Sequence, residues 1–173
     1  VHGLAEKDPI EQEPRFMSLA FDQTPLIVCG IYAPFNNPEK PDRSEYINNF
    51  YKLLNPHLNK MIRAAKRTHT AVALVGDIQV APTPLDQTNN ADPVGPGSTK
   101  LERDHFQNLI KIGLTDSYRK LHPHVQAYTT HARYAARQNN PNQMVEKRID
   151  HILVSNNIEP LKVQIDNETR TFS

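Results

Sequence analysis

Five apolar residues, Ala71 to Val75, run into Gly76 and are followed by Asp77 and Gln79. A run this short reads as a buried strand, and it ends on polar chemistry. The chain must therefore build a sheet that buries this strand while presenting one of its ends. Side chains alternate across a strand, so persistent extended geometry would aim Asp77 and Gln79 the same way. Gly76 permits a conformation or a close approach that a side chain would obstruct. A carboxylate that takes a proton beside an amide that donates a hydrogen bond suits a metal-bound water or a phosphate oxygen. Read alone, Gly-Asp also fits a strand that simply ends in a turn.

The remaining elements frame that strand. Residues 15–21 and 25–33 read as two strands separated by the turn-like Asp22-Gln23-Thr24, a spacing that favours an antiparallel pair. From about Ser44 to Arg67, Tyr46, Phe50, Leu53, Leu54, Leu58, Met61, Ile62 and Ala65 recur at helical intervals. Pro56 is expected to kink or divide that helix. An irregular stretch from Val80 to Thr99 precedes a second amphipathic helix, Lys100 to Ile112, closed by Gly113. Gly95-Pro96-Gly97-Ser98 lacks the lysine of a phosphate-binding loop and reads as a turn. Further strands are expected at Gln126–Thr130, Arg148–Val154 and Leu161–Asp166. Strands and helices of differing length, with no regular βαβ repeat, indicate a mixed α/β sandwich. Residues 1–14 read as a polar, irregular lead and 15–173 as one partial domain.

Composition narrows the function classes. Twenty Lys and Arg balance 19 Asp and Glu, so any nucleic-acid contact must come from a local patch. The segment Arg133 to Arg148, with Arg137 and Lys147, is such a patch or a solvated loop. The basic cluster Lys60, Arg63, Lys66 and Arg67 reads as a solvated helix face. One cysteine, Cys29, sits in an apolar run and reads as a buried strand residue. No apolar segment approaches the roughly 18 residues that span a bilayer. The expected compartment is intracellular, the nucleus included, with no membrane partner.

Three further motifs follow the strand-end pair in order. Tyr32-Ala33-Pro34 closes a strand with a hydroxyl that reaches a phosphate or merely packs. Asp116-Ser117-Tyr118-Arg119 is followed by His122-Pro123 and Tyr128-Thr129. Arg148-Ile149-Asp150 sets an arginine and a carboxylate on one strand face.

Their order and spacing resemble the endonuclease/exonuclease/phosphatase superfamily, in particular its apurinic-endonuclease and retrotransposon-endonuclease branches. The resemblance runs from about Arg15 to Val154 and includes the loop Val80 to Asp86. It implies a four-layered α/β sandwich, here incomplete at both ends, with magnesium or manganese as cofactor and DNA as partner. It implies hydrolysis of a phosphodiester, in which a metal, a positioned water and donors to the phosphate oxygens share the work. By the same resemblance Asp77 positions or deprotonates the water and Tyr32 bonds the phosphate. Gln79 fills the slot of an asparagine, and Asp150 orients a histidine. Asp116, Arg119, Tyr128 and Arg148 lie along the substrate cleft. No residue of this chain is assigned as a metal ligand.

The departures define the competing readings. The family's glutamate-bearing first strands and its closing Ser-Asp-His have no counterpart here beyond Ser173, so the piece is expected to be less stable than a complete domain. Gln79 extends its amide by about 1.5 Å relative to asparagine, and about 1 Å of misplacement can cost on the order of 100-fold. A catalytically degenerate scaffold or interaction module is therefore the alternative to a DNA endonuclease. A lipid or inositol phosphatase-type or sphingomyelinase-type enzyme is the alternative within catalysis.

Overall fold

The computed structural model describes residues 8–36, 40, 42–88, 91, 95–133 and 144–166. Strands β1 (Phe16–Ala20) and β2 (Leu26–Tyr32) form the expected antiparallel pair, from Phe16 opposite Ile31 to Ala20 opposite Ile27. Helix α1 (Asp42–Arg67) then crosses over the sheet. Acidic Asp42 and Glu45 open it and Lys66 and Arg67 close it, each matching the partial charge of its helix end. The helix runs through Pro56 undivided. Buried Leu54, His57 and Leu58 on either side of the proline tie both halves to the core, which outweighs one lost backbone bond. Its inner face also differs from the expected stripe. Tyr46 and Leu53 are exposed, and Ile47, Tyr51 and His57 point inward instead.

Strand β3 (Ala71–Asp77) lies parallel to β2, with Leu26 opposite Ala71 and Tyr32 opposite Asp77. After a 3-10 turn at Pro84–Asp86, helix α2 (Lys100–Lys111) is capped by Thr99, whose hydroxyl and Glu102 satisfy each other's free N–H groups. Strand β4 (Leu114–Asp116) leads directly into the short helix α3 (Ser117–Leu121). A ribbon of β5 (Thr130–Arg133) and β6 (Met144–Lys147) follows, then β7 (Asp150–Ser155), antiparallel to both β3 and β4. The sheet order is β1-β2-β3-β7-β4.

One sheet face carries Cys29, Ile31, Val72, Leu74, Leu114 and Leu153 against Phe50, Leu54 and Leu58 of α1 and Phe106 and Leu109 of α2. On the opposite face Met17, Leu19, Tyr32 and Ile152 are exposed. Burial pushes the Cys29 thiol up to about 12, which removes its thiolate at neutral pH and fits the reading of a packing residue.

Several expectations shift. Pro9–Gln12 of the polar lead forms a 3-10 turn and buries Ile10 completely. The strand expected at Gln126–Thr130 begins only at Thr130, because its pairing partner is Met144–Lys147. Leu161–Asp166 forms no strand, since no described strand pairs with it. Arg137 and Ser173 lie outside the described residues. No helix among the described residues is long and apolar enough to cross a membrane.

Candidate functional site

Gly76 makes the end of β3 possible. Its φ is +131°, and a Cβ there would sit 2.1 Å from the Ile31 carbonyl oxygen of β2. A side chain would force the two strands apart just where β3 delivers Asp77. The chain then turns sharply. The Ile78 N–H donates to the Ile149 carbonyl at 2.9 Å, and Gln79 adopts φ +61°, the left-handed region.

This turn corrects one expectation. Strand alternation does not bring Asp77 and Gln79 together, because the strand stops at Asp77. The turn does so. The Gln79 backbone N–H donates to Asp77 Oδ1 at 2.9 Å, and its side-chain amide donates to Asp77 Oδ2 at 2.5 Å. The left-handed backbone also explains why asparagine suits such a position. Asparagine tolerates positive φ better than most residues, whereas glutamine has no comparable local compensation.

Three of the expected catalytic residues form a row across the sheet. Tyr32 is the register partner of Asp77 on one side and Asp150 is its partner on the other. Directly opposed residues project to the same face, so hydroxyl, carboxyl and carboxylate stand side by side at one sheet end. Tyr32 is 51% exposed, and the Arg15 guanidinium lies 4.9 Å from its ring centre. Asp150 is exposed, and its N–H and that of Ile149 both donate to Thr129 Oγ1, at 3.1 and 3.0 Å. Partial burial pushes the Asp77 carboxyl up to about 6, and Asp150 adds to the rise against the hydrogen bonds from Gln79.

The expected cleft residues occupy a different environment. Arg148 does not share a strand face with Asp150: it precedes β7, is 1% exposed, and points into the interior. Its Nε donates to Asp86 Oδ1 at 2.7 Å, and Nη1 and Nη2 form a fork on Asp116 at 3.1 and 2.7 Å. Arg119 Nη2 also reaches Asp86 Oδ1, at 2.5 Å, while Thr83 donates its hydroxyl and backbone N–H to Asp86 Oδ2 at 2.6 and 3.0 Å. Two guanidinium groups thus neutralise two carboxylates. Burial alone would raise both aspartates. The Arg148 charge, with hydrogen bonds from Arg148, Thr83 and Arg119, holds Asp86 below its usual value instead. Against the rise that burial would cause, Arg148, by its fork of hydrogen bonds and its charge, holds Asp116 well below the carboxylate range. Tyr128 lies apart, lining a cavity of about 210 Å³ with Tyr118, His122 and residues 163–165.

Asp86 and His151 carry no assignment from the sequence. Asp86 closes the loop Val80–Asp86, so its position in that motif is the available signal. His151 reads in sequence as one more inward residue of an alternating strand. It is buried, donates from Nε2 to the Val80 carbonyl at 2.8 Å, and meets Arg148 Nη1 at 3.0 Å through Nδ1.

Among the described residues no three His, Cys, Asp or Glu side chains converge to enclose a metal. The chemistry still suits a hard, mostly hydrated cation. Magnesium is commonly held by one or two carboxylates plus water and substrate phosphate, and exposed Asp150 beside Asp77 offers that kind of donor.

No family model matches the sequence. An exodeoxyribonuclease of Bacillus subtilis (strain 168) is 28% identical over 166 residues, covering 95% of this chain and 60% of the relative. A DNA-(apurinic or apyrimidinic site) endonuclease 2 of Schizosaccharomyces pombe is 32% identical over 83 residues, which is 48% of this chain and 14% of that protein. The solved structure of a 3′ phosphatase from Neisseria, bound to a product DNA hairpin, superposes with a TM-score of 0.66 at 25% identity. It covers 86% of this chain and 56% of the other. The chain thus spans three fifths or less of each of these proteins.

Proposed function

As the chain carries the endonuclease/exonuclease/phosphatase fold and its sequence relatives are a DNA exonuclease and an AP endonuclease, we propose that it is a nuclease-type phosphodiester hydrolase acting on DNA. The observation that carries this reading is the row Tyr32–Asp77–Asp150 with Gln79 folded onto its centre. A carboxyl pushed up to about 6 is ionised at neutral pH yet basic enough to take a proton from water. Tyr32, exposed beside it, donates its hydroxyl to a non-bridging phosphate oxygen. The Gln79 amide swings from Asp77 to a second one. Magnesium or manganese, when bound at Asp150, supplies positive charge against the phosphate. The Asp86–Arg148–Asp116 network is buried and does not contact DNA itself.

A second reading rests on a specific observation: Gln79 closes both carboxylate oxygens of Asp77, as a scaffold that has lost its chemistry would tolerate. Metal-dependent cleavage of abasic, plain duplex and phospholipid substrates separates the readings. Cleavage of DNA that falls by about 10²–10⁴-fold in Asp77→Asn supports the nuclease. DNA binding without cleavage supports the scaffold, and phospholipid turnover supports the lipid-directed alternative.

A further inference from the structure

A left-handed glutamine needs something to hold it, and the structure shows what does. The two residues after Gln79 are fixed from three directions. The Ala81 N–H donates to the Gly97 carbonyl at 2.7 Å, and Arg103 Nε donates to the Ala81 carbonyl at 3.3 Å. The Val80 carbonyl, the first acceptor after the turn, takes its bond from His151 Nε2 at 2.8 Å. Gly97 itself packs so closely that a Cβ would lie 3.3 Å from the Gln79 carbonyl oxygen.

The protonation pattern of His151 follows from its neighbours. Arg148 Nη1 is a donor in every accessible state, so at 3.0 Å the facing Nδ1 must accept. The ring proton then belongs on Nε2, the atom that must donate to Val80. Asp116 lies 3.7 Å from Nδ1, beyond a hydrogen bond, so the arginine and not the carboxylate fixes the tautomer. Arg148 is fixed in turn by Asp86 and Asp116. The ring is further held against Phe106, with centres 4.9 Å apart.

We propose that His151 is a positioning residue: with Arg148 setting its tautomer, its imidazole holds the Val80 carbonyl and thereby keeps Gln79 in the left-handed turn that seats both of its donors on Asp77. The assignment rests on the reading of Asp77 and Gln79 as the reacting pair. It gives the buried arginine–aspartate network a purpose beyond cohesion, because the network reaches the strand end through one side chain. A residue of purely structural value would stabilise the fold without setting the backbone angle at Gln79.

The test is NMR on the 173-residue chain without metal or substrate. In the wild type the one-bond Cα–Hα coupling of Gln79 reports positive φ, and its amide proton is protected from exchange. His151→Phe keeps the ring against Phe106 but removes the donor, and should lower that protection about tenfold, the worth of one neutral hydrogen bond. His151→Gln, which can accept from Arg148 and donate to Val80, should restore both signals. His151→Phe that folds and leaves the Gln79 signals unchanged overturns the proposal. If that variant does not fold, the wild-type imidazole decides. A proton on Nε2 coupled across the hydrogen bond to the Val80 carbonyl supports the proposal, and a proton on Nδ1 alone defeats it. Because none of these signals requires turnover, an absence of DNA cleavage counts against the nuclease reading and not against this one.

Discussion

Asp77 and Asp86 sit on one continuous segment, yet the protein treats them in opposite ways. Asp77 ends a strand, faces an exposed row, and has its carboxyl pushed up to about 6 by partial burial with Asp150 beside it. Asp86 is fully buried but receives hydrogen bonds from Arg148, Arg119 and Thr83, which hold it below its usual value. Burial raises a carboxyl only when its partners fail to compensate. The difference separates a half-buried carboxyl that neutral donors do not compensate from one used to bind the molecule to itself. The raised carboxyl stands in the row proposed as the site, and the lowered ones lie inside a satisfied network.

The largest effect should come from breaking the network. Arg148→Ala leaves Asp86 and Asp116 buried without their main partner, and removing one member of a buried ion pair typically costs about 3–5 kcal/mol. Urea unfolding should show that loss, with the slope unchanged. Both aspartates have depressed native values, so their contribution is present above the unfolded-state value of about 4 and fades as pH falls below it. The deficit of Arg148→Ala should accordingly shrink in acid. An equal deficit at both pH extremes would show that Arg148 contributes packing alone.

Asp77 should show the reverse sign. Its native value lies above its unfolded one, so between about 4 and 6 the folded chain binds more protons and stability falls as pH rises. Above that window the ionised, half-buried carboxylate is a cost. Asp77→Asn should therefore gain about 1 kcal/mol near neutral pH, after allowance for solvent access, and nothing below about pH 4. Thermal unfolding across that range checks it. A variant that loses activity while gaining stability would mark the row as a site held against the preference of the fold.

What the sequence disclosed follows the range of the interactions involved. The run Ala71–Val75 and the glycine that closes α2 depend on neighbours in the chain, and both were legible, whereas the Thr99–Glu102 cap that opens α2 was not read. Gly76-Asp77 was legible as a strand end, because glycine there answers a local demand. The fate of Arg148 was not, since its partners arrive from residues 86 and 116 and only the folded chain assembles them. Beside Asp150 in the sequence, it has the look of a cleft residue. The misplaced strand at Gln126–Thr130 has the same cause: Ala127 is buried by a bond to the Leu85 carbonyl and not by ladder pairing. Gln79 stands out in the sequence through the length of its side chain, whereas its backbone angle supplies the stronger reason.

That angle gives the smallest effect and the sharpest distinction between the two regions. At φ +61° Gln79 sits where asparagine is tolerated and longer side chains are disfavoured, so Gln79→Asn should relieve strain. The shorter amide, however, reaches less readily back to Asp77 Oδ2, surrendering a bond that is half exposed to water. The two terms oppose each other, and a net change of about +0.5 kcal/mol in stability is expected, within the range of conformational substitutions at compatible sites. Its effect on the site should be larger than its effect on the fold. An amide released from the carboxylate is free to meet a phosphate oxygen, so kcat for DNA cleavage should rise about tenfold with KM unchanged. If Gln79→Asn proves silent in both stability and rate, Gln79 is no brake on Asp77, and the row owes its chemistry to Tyr32, Asp77 and Asp150 alone.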